Sequence, residues 1–138
     1  MRILGIDYGD SRVGIAITDE LEITAQGLET IHYAGNDKML LKRLDEIINE
    51  YNVCTIAIGM PLNLNGEKTV RAEVTEKFIH KLKCKYNKIP IVSIDERLTT
   101  VQAHKTMNEL SINKKKKKNL VDTLSAVYIL ETYMNRKK

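Results

Sequence analysis

Ile3-Leu4-Gly5-Ile6-Asp7-Tyr8-Gly9-Asp10-Ser11-Arg12-Val13-Gly14-Ile15-Ala16-Ile17-Thr18 is the stretch whose reading decides the fold. Ile3 to Ile6 form a short apolar run that closes on Asp7-Tyr8-Gly9-Asp10, which reads as a strand entering a turn. The period then becomes two. Val13, Ile15 and Ile17 face one way, and Gly14, Ala16 and Thr18 the other, so a half-buried strand folds back on the first as a hairpin. A third strand is expected between Ile23 and Tyr33, with Gly27 marking a bulge or bend. Together these make an antiparallel meander.

Downstream the period lengthens. Leu40, Leu44, Ile47, Ile48 and Tyr51 recur at helical spacing, with Asp37 where an N-cap or first-turn acid belongs. Val53 to Ile58 is a continuous apolar run ending at Gly59-Met60-Pro61, the mark of a strand buried on both faces. Val70, Val74, Phe78, Leu82 and Tyr86 define a second helix, after the turn residues Asn63, Asn65 and Gly66. Ile89 to Ile94 reads as another buried strand, ending at Asp95-Glu96-Arg97. Thr99, with Gln102 three residues on, resembles a capping box opening a third helix. A last helix is expected from about Leu120 to Tyr133, after the lysine run. The order βββ-α-β-α-β-α-α predicts an α/β fold with a mixed sheet covered by helices.

The 138 residues fit one domain, 1–138, with neither internal repeat nor linker. A chain of this length buries roughly two-thirds of its unfolded surface and needs no disulfide or metal to fold. Cys54 and Cys84 stand 30 positions apart without a partner pattern, which argues against a disulfide framework or zinc knuckle and for reduced, cytosolic thiols. No apolar run reaches the roughly 18 residues of a membrane span, and Asp7 interrupts the N-terminus too early for a signal peptide, so no membrane partner is expected. The formal net charge is +4, distributed unevenly. Residues 97–138 hold ten Lys/Arg against three acids, and residues 1–96 hold twelve against fifteen. The basic excess centres on Lys114, Lys115, Lys116, Lys117 and Lys118, which suits either a nucleic-acid footprint or a solvated loop.

In open α/β sheets, ligands bind outside the carboxyl ends of parallel strands. Asp7 and Asp95-Glu96 stand at such ends, and Gly59-Met60-Pro61 supplies a third. Asp122 falls in the first turn of the expected last helix, where it could point to the same edge. Acids from three separate elements suit a hard divalent cation such as Mg²⁺, and two such ions can activate water for phosphodiester cleavage. Each acid also has a plainer reading. Asp7 could begin a turn, Asp95 and Glu96 could end a strand in solvent, and Asp122 could stand at N3 behind an Asn119 cap. The small Ser125 and Ala126, with Ile129 beyond, argue that the face of Asp122 presses on the sheet. Competing motifs fail. Gly9 to Gly14 has P-loop glycine spacing, but Ile15-Ala16 replaces Lys-Ser/Thr. His32, His80 and His104 share no ligand spacing.

Gly5-Ile6-Asp7-Tyr8-Gly9 with Arg12-Val13-Gly14-Ile15-Ala16 resembles the opening of the YqgF family of pre-16S rRNA nucleases, also described as Holliday-junction resolvases. Gly59-Met60-Pro61-Leu62-Asn63 with Gly66 resembles its second block, and Asp95-Glu96-Arg97-Leu98-Thr99-Thr100 its third and most specific. Val121-Asp122 through Ala126 to Ile129-Leu130 resembles the last, with Ser125 in place of the usual alanine. The resemblance implies a ribonuclease-H-like fold, with a five-stranded mixed sheet (a three-strand meander plus two parallel strands) flanked by helices. It implies Asp7, Glu96 and Asp122 as the catalytic acids that bind Mg²⁺ or Mn²⁺, and it selects Glu96 where the spacing alone left Asp95 and Glu96 open. It also implies cytoplasmic processing of the 5′ end of 16S rRNA precursor, with structured RNA or branched DNA as partner. Arg12, Arg97 and Lys114 to Lys118 are then the candidates for holding backbone phosphates. Two other classes remain to be weighed. Asp7-x-Gly9 also resembles the phosphate-binding hairpin of actin-like ATPases, which need a second lobe, and the basic C-terminal part would suit a non-catalytic RNA-binding module.

Overall fold

The computed structural model describes residues 1–62, 65, 67–96 and 114–137, with side chains described for 123–136 of the last stretch. Its elements are β1 (Arg2–Tyr8), β2 (Arg12–Thr18), β3 (Ala25–His32), α1 (Asp37–Tyr51), β4 (Val53–Met60), α2 (Val70–Lys85), β5 (Ile91–Asp95) and a helix here called α3 (Lys114–Lys137). The helix expected from Thr99 lies outside the described residues, as do Asn63 and Gly66. No helix among the described residues is long and apolar enough to cross a membrane.

The sheet runs β3-β2-β1-β4-β5. β1, β2 and β3 pair antiparallel, and β4 and β5 extend the sheet from β1 in parallel, as the order of elements predicts. The bulge expected at Gly27 is present. Ile15 pairs with Glu29 and Ala16 with Gly27, which leaves Leu28 as the extra residue.

The two faces of the sheet differ in side-chain size. Leu4, Ile6, Tyr8, Val13, Ile15, Ile17, Ile56 and Ile58 belong to the large core beneath α1 and α2. Ile3, Ala16, Ala57 and Ile94 meet Ala126, Val127, Ile129 and Leu130 of α3 on the other face. Alternation along β1 therefore sends Gly5 and Asp7 to the α3 face. α1 starts on an Asn36 cap whose side chain accepts from Met39 N–H, so Asp37 is its first-turn acid. Thr69 caps α2 by accepting from Ala72 N–H.

Three sequence expectations need correction. The strand expected to be buried over Ile89 to Ile94 is β5, Ile91–Asp95, an edge strand paired on one side, in which Ile94 is the buried residue. Val70 and Val74 are exposed, and α2 buries Ala72, Thr75, Phe78, Ile79 and Leu82 instead. The small Ala72 and Thr75 let the helix approach the sheet, while Val70 stands in its first turn. The last helix begins at Lys114 rather than Leu120, so the lysine run forms its opening turns rather than a preceding loop. Asn119 is consequently not a cap, and Asp122 is two turns inside the helix rather than at N3.

α3 rests on β1 at Gly5, where a Cβ would lie 2.6 Å from Leu130 Cγ and 2.8 Å from Ala126 O. The carbonyl belongs to helix backbone and cannot swing aside. Gly5→Ala is therefore expected to cost about 1–3 kcal/mol through overpacking. Urea denaturation checks this, with a lower midpoint and unchanged slope as the expected outcome. An unmoved midpoint would mean that α3 has slack over β1.

Candidate active site

Asp7 is the penultimate residue of β1, the central strand. Ile6 pairs with Ile58, so Asp7 is level with Gly59, and Gly59 in turn pairs with Ile94 on β5. Glu96 follows the last residue of β5, and its N–H donates to Met60 O at 3.1 Å, carrying the β4–β5 ladder one step further. From there its side chain returns across Gly59. A Cβ at residue 59 would lie 2.6 Å from Glu96 Oε1 and would overlap the carboxyl carbon. This explains the glycine in Gly59-Met60-Pro61, because any side chain there would displace the acid. Asp95, by contrast, is exposed at the end of β5. Of the two neighbouring acids, Glu96 is the one brought to Asp7.

The Glu96 carboxyl donates a hydrogen bond to the Asp7 carboxylate. Burial, then the Asp7 charge and this hydrogen bond, push Glu96 up to about 10, against the pull of Arg71. Burial also raises Asp7, while the bond from Glu96 and the Arg71 charge oppose it. The pair thus retains a proton at neutral pH, as adjacent buried carboxyls do. Two hard oxygen donors turned toward each other at the carboxyl edge of the sheet have the chemistry to hold a divalent ion.

Arg71, in the first turn of α2, is the cation beside this pair. Its Nη1 donates to Asp10 Oδ1 at 2.7 Å and its Nη2 to Tyr8 O at 2.6 Å, with the guanidinium 4.8 Å over the Tyr8 ring. The sequence reading did not single it out. The available signal was a cation in the first turn of a helix, where the helix dipole disfavours one.

The remaining sequence candidates divide as follows. Arg12 opens β2 at the same hairpin, its carbonyl accepting from Gly9 N–H at 3.0 Å. The Asp122 backbone lies in α3 one turn before Ala126, and Lys114 to Lys118 open that helix. The side chains of Asp122 and Lys114 to Lys118, and the whole of Arg97, lie outside the described residues. Among the described residues no group of three His, Cys, Asp or Glu converges as a metal cluster. Cys54 and Cys84 are free thiols.

A five-stranded mixed sheet in this order, three strands antiparallel and two parallel, is the ribonuclease-H-like fold. RuvC of T. thermophilus, solved in complex with Holliday junction substrate, superposes with a TM-score of 0.61 at 14% identity, over 99% of this chain and 96% of that one. The fowlpox virus Holliday junction resolvase superposes with a TM-score of 0.58 at 14% identity and full coverage of both chains. At these identities the likeness establishes the fold. Residues 1–136 match the family described as RuvX: Holliday junction resolvase, and the chain belongs to that family of phosphodiester-hydrolysing enzymes. A protein of Ruminiclostridium cellulolyticum named "Putative pre-16S rRNA nuclease" is 57% identical over 99% of this chain and 95% of its own length.

The raised Glu96 gives stability a definite pH dependence. A carboxyl at 4.5 in the unfolded chain and about 10 in the folded one binds more protons when folded, so its contribution is full below 4.5 and is lost as pH rises toward 10. In EDTA the melting temperature is expected to fall between pH 5 and 9, and Glu96→Gln to remove most of that fall. Parallel thermal melts of the two proteins across this range check the sign. A wild type that gains stability with pH would contradict it.

Proposed function

We propose that the chain is a divalent-cation-dependent nuclease of the cytoplasm that processes the 5′ end of 16S rRNA precursor. The observation that carries this reading is the full-length, 57% identity to a relative named for that activity, in a chain whose Asp7 and Glu96 face each other. In this reading Asp7, Glu96 and Asp122 hold the cation, which is Mg²⁺ or Mn²⁺. When bound, it supplies Lewis-acid stabilisation of the charge that develops around phosphorus. Asp7 fixes the position of the group, because β1 is hydrogen-bonded to a strand on each side. To hold the cation, Glu96 would have to be deprotonated, its proton passing to solvent. Arg12, Arg97 and Lys114 to Lys118 are assigned to backbone phosphates, which position a substrate without reading its sequence.

Branched DNA is the second reading, favoured by the description of the family as Holliday junction resolvase. The actin-like alternative loses its basis, because the match to this family extends over residues 1–136. A non-catalytic RNA-binding module would leave the buried carboxyl pair without a task.

Cleavage of a 16S precursor fragment and of a four-way DNA junction, each with Mg²⁺, Mn²⁺ or EDTA, tests the assignment. Metal-dependent cleavage of the RNA in preference to the junction is expected, and the reverse order would favour the second reading. Asp122→Asn tests the third acid. Its backbone position two turns inside α3 excludes a dipole role, so the fold is expected to persist and activity to fall by orders of magnitude. Near wild-type cleavage by this variant would remove Asp122 from the site.

A further inference from the structure

The two anchors of Arg71 differ in kind. Tyr8 O is a rigid mount, since the Tyr8 ring stacks on Phe78 at 4.2 Å and its hydroxyl donates to Asp37 Oδ1 at 2.9 Å. Asp10 stands in the β1–β2 turn with its side chain 88% exposed, whereas that of Arg71 is 26% exposed. An ion pair with so exposed a partner is weak and exchanges readily. Guanidinium binds carboxylate and phosphate with the same fork of parallel donors, so one anion can replace the other. The Nη2 bond to Tyr8 O would survive that replacement and keep the fork aimed.

Position supports exchange over a purely structural clamp. Tyr8 adjoins Asp7, and the Arg71 charge acts on both Asp7 and Glu96. A phosphodiester brought to those acids therefore arrives beside Arg71. We propose that Arg71 contacts a substrate phosphate next to Asp7 and Glu96, and that Asp10 occupies the phosphate's place on the guanidinium until nucleic acid displaces it. The proposal rests on the nuclease reading and adds a substrate contact to it.

The test uses the full chain, a labelled RNA duplex and a labelled four-way DNA junction, in EDTA so that binding is read without cleavage. Arg71→Gln is expected to weaken binding about tenfold. It should also lower the slope of log K against log salt by about one. Asp10→Asn, a change at an exposed turn, is expected to tighten binding several-fold, and that gain should vanish in the Arg71→Gln background. If Arg71→Gln melts earlier yet binds with an unchanged slope, Arg71 is only a hairpin clamp and the proposal is overturned. A gain from Asp10→Asn that persists without Arg71 is a diffuse charge effect and overturns it equally. The nuclease reading fails separately. Arg71-dependent binding with no cleavage in Mg²⁺ would sink that reading and leave the contact standing, and cleavage with Arg71-independent binding would do the reverse.

Discussion

Two carboxyl groups held side by side below the surface repel each other once both ionise, and the carboxyl edge of this sheet is arranged around that repulsion. Burying even one unpaired charge is costly, so the metal-free pair retains a proton and binds it in the hydrogen bond from Glu96 to Asp7. The geometry that forces the two together is specific. β1 is clamped between β2 and β4, which removes backbone freedom from Asp7. Glu96 reaches back because residue 59 has no side chain. Arg71, fixed to Tyr8 O, is near enough to offset part of the negative charge on both acids. The shared proton thus removes the repulsion that two ionised carboxylates would exert on each other here.

The asymmetry of the two faces serves the same end. Beneath α1 and α2 the sheet presents branched aliphatic and aromatic side chains, and the hydrophobic effect there supplies most of the stability. On the α3 face it presents Gly5, Ala16 and Ala57, and Gly27 meets Thr123. Large residues at those positions would hold the helix off. Glycine and alanine let it settle on the backbone of β1, so the element that carries Asp122 crosses the same face of the sheet as Asp7.

Much of this could be read from the residues, and the failures have physical causes. The strands were legible as strands from their alternation and apolar runs, but their burial was less so: β2, read as half-buried, is covered on both faces, and β5, read as buried, is an edge strand. Gly27 marked its bulge because a glycine in a strand usually answers to some close approach. Asp7 and Glu96 stood out as candidates because acids at strand ends are conspicuous, but spacing alone could not choose between Asp95 and Glu96. That choice depends on which way a side chain turns after a strand has ended, and it is Gly59, 37 positions upstream of Glu96, that permits the turn. The buried face of α2 was misplaced because Ala72 and Thr75 do the packing, and neither is conspicuous as a core residue. Arg71 went unnoticed because its meaning lies in Tyr8 and Asp10, more than sixty residues away.

The start of α3 shows a local rule giving way to a cooperative one. Capping preference places the helix start at Asn119, and five lysines at the positive end of a helix dipole each oppose an earlier start by about 0.3–1 kcal/mol. Yet the helix begins at Lys114, with no acid in its first turn. Nucleation is the expensive step of helix formation, and here it is met by the packing of Ala126, Val127, Ile129 and Leu130 on the sheet. Extension back through lysine, a good helix former, then gains one hydrogen bond per residue fixed. The consequence for the site is direct. With Asn119 inside the helix, Asp122 has no terminus to complement, and a carboxylate in mid-helix, one turn from a residue buried against β1, is not explained by local helix stability.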